Sequence, residues 1–147
     1  MFRGRYYHNI DAKGRTSLPV RFREVLQAAQ ETHLVVTNFY DDCLVAYPVS
    51  GWEELEQKIG GLSMMREEVV AFQRFFISGA TECAIDRLGR ILLPLGLRQY
   101  AGLNKEIIFV GLVKKFEIWD KHRWEEKFQA AAVLAKEKRH ILFELGV

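Results

Sequence analysis

The feature that most constrains this sequence is a motif that occurs twice with the same internal spacing. The two copies cover Ile10–Arg23 and Ile85–Arg98, and both follow the order Ile-Asp-x-x-Gly-Arg-x-x-Leu-Pro-x-x-x-Arg. They lie about 75 residues apart, roughly half the length of the chain. Two copies are too few for a solenoid, which needs at least three copies of its repeat. The sequence therefore predicts one protein built from two related units.

The composition is that of a folded globular protein. The 147 residues are 49% hydrophobic and 27% charged, which is enough to form a core. No apolar run approaches the ~20 residues of a membrane-spanning helix, and the N-terminal residues lack the apolar core of a signal peptide. Cys43 and Cys83 lie outside any C-x-x-C motif, so we expect buried thiols in a reduced, cytoplasmic protein. The four histidines show no metal-ligand spacing, so no metal or cofactor is expected.

Positive charge is concentrated around the two copies of the motif, although the net charge is only +2. Residues 1–25 contain six basic and two acidic side chains, and residues 84–105 contain four basic and one acidic. A fold with two equivalent units would bring these clusters onto one surface. Such a surface is typical of proteins that bind a polyanion.

Local patterns predict the same order of elements around each motif. Turn chemistry over Asp11–Gly14 follows a predicted strand, and apolar residues at spacings of three and four predict a helix over Val20–Gln27 after Pro19. A strand pair then follows. The strands predicted for the first unit are Phe2–Ile10, Thr16–Leu18, His33–Thr37 and Cys43–Tyr47. Those predicted for the second unit are Ser78–Ile85, Ile91–Leu93, Glu106–Gly111 and Lys115–Trp119, with a short helix ending at Gly102.

Helices are predicted between the units and at the C-terminus. Ser50 and Glu53 have the spacing of a capping box, so a helix should begin there and end at Gly60-Gly61. A second helix should begin at Ser63 and run through Phe76, with Met64 and Met65 in a core or an interface. A long helix should run from Asp120 toward Leu142.

Two interpretations of the Asp-x-x-Gly-Arg turn are open from composition alone. In the structural one, aspartate caps the turn and pairs with arginine as a surface bridge worth about 0–1 kcal/mol. In the functional one, the turn presents Arg15 and Arg90 to guanine O6 and N7 or to a phosphate. Further basic residues that could contact the DNA backbone are Arg3, Arg5, Lys13, Arg21, Arg23 and Arg87.

The repeated aspartates also raise an enzymatic alternative. Aspartic proteases bring one Asp-Gly loop from each of two related halves together, and the two carboxylates share a proton. Here an arginine follows each aspartate by four residues and should keep both carboxylates ionised. The spacing to the glycine also differs by one residue, which disfavours this alternative.

The full pattern resembles the MraZ family of bacterial transcriptional regulators. The likeness covers nearly the whole chain and is carried by Met1–Gly4, by both motif copies and by Leu97–Leu103. Single copies of such a motif occur in the related AbrB and MazE class, in which two chains supply what one chain supplies here. The resemblance implies an α+β fold in which two AbrB-like β-hairpin halves form a swapped-hairpin, double-psi-like β-barrel with flanking helices. The expected boundaries are 5–47 and 76–119 for the two units, 48–75 for a helical connector and 120–147 for a C-terminal helix.

The resemblance also implies a function. It indicates a non-enzymatic repressor that binds short direct repeats in promoter DNA, controls the division and cell-wall gene cluster containing its own gene, and forms ring-shaped homo-oligomers. Such a protein would be cytoplasmic and nucleoid-associated, with no small-molecule ligand. Arg15 and Arg90 match the DNA-contacting arginines of the family. Asp11, Gly14, Asp86 and Gly89 would shape the loops. An antitoxin-like protein-interaction module is the alternative.

Overall fold

The computed structural model describes all residues from 1 to 147 and has an α+β fold. The strands are β1 (Arg5–Asn9), β2 (Arg15–Ser17), β3 (His33–Phe39), β4 (Cys43–Pro48), β5 (Thr81–Ala84), β6 (Arg90–Leu92), β7 (Glu106–Leu112) and β8 (Lys115–Asp120). The helices are α1 (Val20–Ala28), α2 (Val49–Gly60), α3 (Glu67–Phe72), α4 (Leu95–Ala101), α5 (Lys121–Glu137) and α6 (Arg139–Glu144), and a π-helical turn (Gln73–Ile77) continues α3. Each predicted strand of the two units is observed, with ends that differ by up to three residues.

Six strands form one antiparallel sheet in the order β1-β7-β8-β4-β3-β5, and β2 pairs with β6 in a separate antiparallel ribbon. The strand before each motif turn is exchanged between the hairpins. β1 pairs with β7 of the second hairpin, and β5 pairs with β3 of the first. Because β1 and β5 end the sheet, the strand ladders do not close into the barrel that the resemblance implied.

Both faces of the six-stranded sheet are covered, so alternate residues of a strand enter different clusters. In β3, Leu34 and Val36 face one side, whereas Val35 faces the other. The first side is covered by α1, α4 and the ribbon, with Phe22 and Leu97 among the buried residues. The other side is covered by α2, the π-helical turn and the start of α5. This period of two is the pattern expected of a sheet.

Helix α1 is anchored by Phe22, whose side chain is 1% exposed. Its ring centroid lies 4.8 Å from that of Phe116 and 5.2 Å from that of Phe2. Full burial of such a ring contributes about 1.5–3 kcal/mol. The next residue along α1 is Arg23, so the same packing fixes where this arginine leaves the helix.

The connector differs from the sequence prediction in its first turns. Helix α2 begins at Val49, and no side chain caps it. The hydroxyl of Ser50 donates instead to a carboxylate oxygen of Glu31, so the predicted capping box is wrong. Helix α3 begins at Glu67, later than the predicted start at Ser63. Both methionines of this segment are exposed, which excludes the core and leaves the interface of the two positions predicted for them.

The C-terminal segment forms two helices in place of the single long one predicted. Asp120 caps α5 by accepting from the amides of His122 and Arg123 at 3.1 and 3.3 Å. The chain breaks at Lys138 between α5 and α6. Neither helix contains a buried residue. None of the helices in the structure combines the length and the apolarity needed to span a bilayer.

Candidate nucleic-acid interface

The first motif turn, Asp11–Arg15, is held by its aspartate and is called the first loop below. Asp11 Oδ1 accepts from the amides of Lys13 and Arg15 at 3.0 and 2.9 Å. Asp11 Oδ2 accepts from Arg15 Nε at 2.9 Å. The Gly14 amide donates to the Asp11 carbonyl at 3.0 Å, which closes the turn. One carboxylate therefore shapes the backbone with one oxygen and orients a guanidinium with the other.

The second motif turn, Asp86–Arg90, repeats this arrangement and is called the second loop. Asp86 Oδ1 accepts from the amides of Leu88 and Arg90 at 2.9 and 2.8 Å. Asp86 Oδ2 accepts from Arg90 Nε at 2.8 Å. Gly89 donates to the Asp86 carbonyl at 3.0 Å. The two loops are thus equivalent in every one of these contacts, as the repeated sequence predicts.

Both loops need glycine at their fourth position. The φ angle is +93° at Gly14 and +75° at Gly89, in the region that side chains other than glycine rarely adopt. Both glycines are also buried. A Cβ at position 14 would lie 2.6 Å from Nε of Arg98, so the site excludes a side chain by contact as well as by backbone angle.

The loop hydrogen bonds lower the pKa of both aspartates. For Asp11 the largest cause is the hydrogen bond from the Arg15 backbone amide, and for Asp86 it is the one from the Arg90 amide. The side-chain hydrogen bond from each arginine acts in the same direction. Both carboxylates are therefore held ionised, which opposes the proton sharing that an aspartic-protease mechanism requires.

The ribbon places both arginines on one face. Thr16 and Ile91 are directly opposed, and they are only 2% and 1% exposed, so they form the inner face. Side chains alternate along a strand, so Arg15 and Arg90 point outward. They are diagonal neighbours across the ribbon, a position at which Cα atoms are about 7–8 Å apart. The predicted convergence of the two motifs on one surface is thus observed for these two residues.

Each guanidinium is fixed at one end and open at the other. Nε of each arginine donates to its aspartate. The chain supplies no acceptor for the terminal nitrogens of either guanidinium. The side chains of Arg15 and Arg90 are 41% and 35% exposed. Two parallel N–H groups in one plane can donate to a phosphate or to two acceptors on a base edge. The geometry therefore allows a bidentate contact from each loop.

Four of the other predicted contact residues divide into two groups, and a fifth, Arg21, is exposed on α1. Lys13 and Arg87 are exposed within the loops, beside Arg15 and Arg90. Arg3 and Arg5 are exposed at the opposite end of β1, and the length of this strand alone separates Arg5 from the loop by about 13 Å. The guanidinium of Arg5 lies 4.6 Å from the ring centroid of Phe128. The structure thus brings Lys13 and Arg87 to the loops and leaves Arg3 and Arg5 away from them.

The last arginine of each motif supports the loop of the other copy. Arg23 lies against Gly89, and its Nη1 is 3.5 Å from the carbonyl oxygen of Leu88. Arg98 lies against Gly14, and its Nε donates to the carbonyl of Leu93 at 3.0 Å. The sequence interpretation assigned Arg23 to the DNA backbone and missed this support. The only signal in the sequence for this support was that Arg23 and Arg98 occupy the same position in the two copies of the motif.

Groups capable of other chemistry are not gathered into a site. Cys43 and Cys83 are buried, as predicted. Burial raises the pKa of Cys83 to about 11, and it also raises the pKa of Cys43. A thiol that stays protonated is a poor nucleophile. No three His, Cys, Asp or Glu side chains are arranged to hold a metal ion.

Comparison with known proteins agrees with the doubled arrangement. The family model described as "MraZ protein, putative antitoxin-like" matches this chain twice, over residues 1–75 and 76–144. The chain belongs to the MraZ family. A relative named Transcriptional regulator MraZ from Moorella thermoacetica is 52% identical over 126 residues, which cover 86% of this chain and 85% of the relative. A relative of the same name from Desulfitobacterium hafniense strain Y51 is 42% identical over 147 residues, the full length of both proteins.

Proposed function

We propose that this chain is a transcriptional regulator that binds double-stranded promoter DNA through Arg15 and Arg90. The observation that supports this most is the pair of equivalent loops on one face of one ribbon. Each loop fixes the Nε end of an arginine and leaves its terminal nitrogens open. Membership of a family whose relatives are named transcriptional regulators supports the same conclusion.

The β2–β6 ribbon suits the major groove of B-DNA, which admits a two-stranded ribbon. At a separation of about 7–8 Å, the two arginines span roughly two base-pair steps of 3.4 Å each. Each guanidinium would donate to O6 and N7 of one guanine, a contact worth ~1–3 kcal/mol of discrimination. Lys13 and Arg87 would contact phosphates, which adds affinity without sequence information.

In this proposal the two units, 5–47 and 76–119, act as AbrB-like halves that share one binding surface. The exchange of β1 and β5 between the hairpins supports a swapped-hairpin arrangement. The helical connector 48–75 and the C-terminal segment 120–147 flank these halves. The loops of both halves then act together as one two-armed contact.

The chain would also self-associate into a ring-shaped homo-oligomer. Large apolar side chains are left uncovered at the C-terminal end of the chain. They include Phe143 in α6 and Leu145 directly after it, which are 81% and 73% exposed. Uncovered apolar surface of this kind is typical of interaction sites. A ring presents many loops to short direct repeats, so weak contacts add through effective concentration. The proposed target is the division and cell-wall gene cluster containing its own gene, and the protein would act on the nucleoid in the cytoplasm.

Binding to promoter DNA across a salt series tests the proposal. Arg15→Ala and Arg90→Ala should each weaken binding by about 5- to 150-fold, the equivalent of ~1–3 kcal/mol. If the arginines read bases, selectivity over unrelated DNA should fall as well. If they contact only phosphates, binding should weaken uniformly and the salt slope should decrease by about one. Arg66→Ala is the control, since Arg66 is on the connector and pairs only with Glu68. Unchanged affinity and salt slope in both loop variants would reject the proposal.

A protein-interaction role is the competing candidate, because the family description includes the term antitoxin-like. Light scattering after gel filtration, with and without the promoter fragment, separates the two. Retention of the DNA supports the proposal. A stable complex with a small partner protein, combined with no retention of DNA, supports the alternative.

A further inference from the structure

We propose that Arg23 and Arg98 are positioning residues that act across the two motif copies. Arg23 of the first copy would hold the loop that presents Arg90, and Arg98 of the second copy would hold the loop that presents Arg15. This inference rests on the proposed DNA-binding function. It goes beyond that function because it predicts which arginine controls which contact.

The side chain of Arg23 contacts the second loop at two residues. A Cβ at position 89 would lie 2.5 Å from Nη1 of Arg23, so the guanidinium lies directly on the backbone of Gly89. Nη1 is also 3.5 Å from the Leu88 carbonyl oxygen. Leu88 and Gly89 are the two residues before Arg90. The guanidinium of Arg23 therefore packs against the part of the loop that sets the direction of Arg90.

Arg98 packs on the first loop in the corresponding way, although its hydrogen bond goes to its own motif copy. Its Nε lies against Gly14, and the same nitrogen donates to the Leu93 carbonyl at 3.0 Å. Gly14 is the residue before Arg15. The arrangement is reciprocal, since each motif supplies its terminal arginine to the loop of the other motif.

Backbone hydrogen bonds place each loop beside the other copy. The Leu18 amide donates to the Gly89 carbonyl at 2.9 Å, and the Leu93 amide donates to the Gly14 carbonyl at 2.8 Å. Each loop is thus attached to the segment that leads into the helix carrying the supporting arginine. Phe22 and Leu97, the residues before the two arginines, are buried in the same cluster. Both arginines consequently start from a rigid position.

Glycine is what allows this approach. A side chain at either glycine would occupy the space of the arginine. Arg23 Nε is buried and lacks a hydrogen-bond partner within the chain. A buried unpartnered donor is destabilising by itself. Its presence is accounted for if the guanidinium is kept over Gly89 to hold the loop.

Nuclear magnetic resonance of the free protein gives a test that does not involve DNA. Arg23→Gln should shift the amides of Gly89 and Arg90 and the Nε signal of Arg90, and leave those of Gly14 and Arg15 in place. Arg98→Gln should do the reverse. Arg21→Gln is the matched control, because it removes the same charge from α1, where Arg21 pairs only with Glu24. Equal shifts in both loops would overturn the inference. If Arg23→Gln does not fold, Arg23→Lys serves for the same comparison.

Double variants measured for promoter binding complete the test. Arg23→Gln combined with Arg90→Ala should weaken binding at least threefold less than the product of the single effects. Combined with Arg15→Ala, the effects should multiply. The effect of Arg98→Gln on binding should depart from the product of single effects only in combination with Arg15→Ala. The effect of Arg21→Gln should multiply with that of Arg15→Ala and with that of Arg90→Ala. Coupling of Arg23 to both loop arginines, or to neither, would overturn the inference while leaving the proposed function intact. If neither Arg15→Ala nor Arg90→Ala changed promoter binding, the proposed function and this inference would both be rejected.

Discussion

Thr16 and Ile91 are directly opposed in the β2–β6 ribbon, and both side chains point into the core. The Thr16 hydroxyl donates to the Asn9 carbonyl at 2.9 Å, so its burial leaves no unpaired donor. Because neighbours along a strand point to opposite faces, this inward pair forces Arg15 and Arg90 outward. The orientation of the candidate interface is therefore set by core packing beneath it.

Ile91→Ala should destabilise the protein by about 2–5 kcal/mol, because it removes buried methyl groups and leaves a cavity under the ribbon. Urea unfolding followed by circular dichroism measures this change. Leu92→Ala is the control, since Leu92 is the next residue and is 55% exposed. It should change the free energy of unfolding by less than about 0.5 kcal/mol. Equal effects of the two substitutions would contradict the inward orientation of Ile91.

Gly14→Ala and Gly89→Ala should each cost about 1–3 kcal/mol of stability, since both positions have positive φ angles. Gly96→Ala is the opposite case. Gly96 is in α4, and a Cβ there would have no atom within 4 Å. Alanine at this position should stabilise the protein by about 0.5 kcal/mol, the lower limit for a glycine replaced within a helix. Thermal unfolding of the three variants measures the difference in sign. Similar destabilisation by all three would contradict the role of the loop glycines.

The pH dependence of stability should reveal the two loop aspartates. Folding lowers the pKa of Asp11 and Asp86, so their contribution is complete above the ordinary aspartate pKa of about 3.9. It is lost as the pH falls through the lowered pKa of the folded state. The stability difference between the wild type and Asp86→Asn should therefore be largest near neutral pH and shrink below pH ~3.9. Urea unfolding at several pH values measures it. A difference that does not change with pH would show that the charge of Asp86 contributes nothing.

The local structure of both loops could be predicted from the sequence because it depends on residues within the loop. Asp11 accepts hydrogen bonds from amides at most four residues away, and Gly14 adopts the positive φ angle of the turn. The period of the apolar residues identifies the strands and α1. The Ser50 prediction failed because a capping box is a local rule, and a long-range contact with Glu31 competed for the hydroxyl. The break at Lys138 has no proline or glycine to mark it.

The arrangement of the candidate site was less predictable, because it depends on the exchange of strands between the hairpins. The repeat indicated that the two loops would meet, but it did not indicate that Arg23 would lie on Gly89. That contact joins residues far apart in sequence through the pairing of β2 with β6. Charge clustering alone also could not separate Lys13, which is in a loop, from Arg5, which is at the far end of β1. The strand between them, β1, is what separates the two positions.

Self-association should depend on the apolar side chains that the C-terminal helices leave uncovered. Phe143 and Leu145 belong to none of the buried clusters of the single chain. The double variant Phe143→Ser, Leu145→Ser should therefore change the free energy of unfolding of one chain by less than about 0.5 kcal/mol. The same double variant should reduce the mass of the oligomer measured by light scattering, because it removes apolar area that a second copy would cover. Promoter affinity should fall with it, since fewer loops then act together.

Glu144→Gln is the matched control for that double variant, because Glu144 lies between the two apolar residues and is itself exposed. It should leave the oligomer mass unchanged. An unchanged mass in the double variant would mean that the copies meet through another surface. Loss of mass without loss of affinity would mean that one chain binds DNA as well as the assembly does, so that effective concentration contributes nothing to the interaction. Combining the double variant with Arg90→Ala separates these effects, because a contact made within each copy should still respond to the loop substitution after the assembly has been lost.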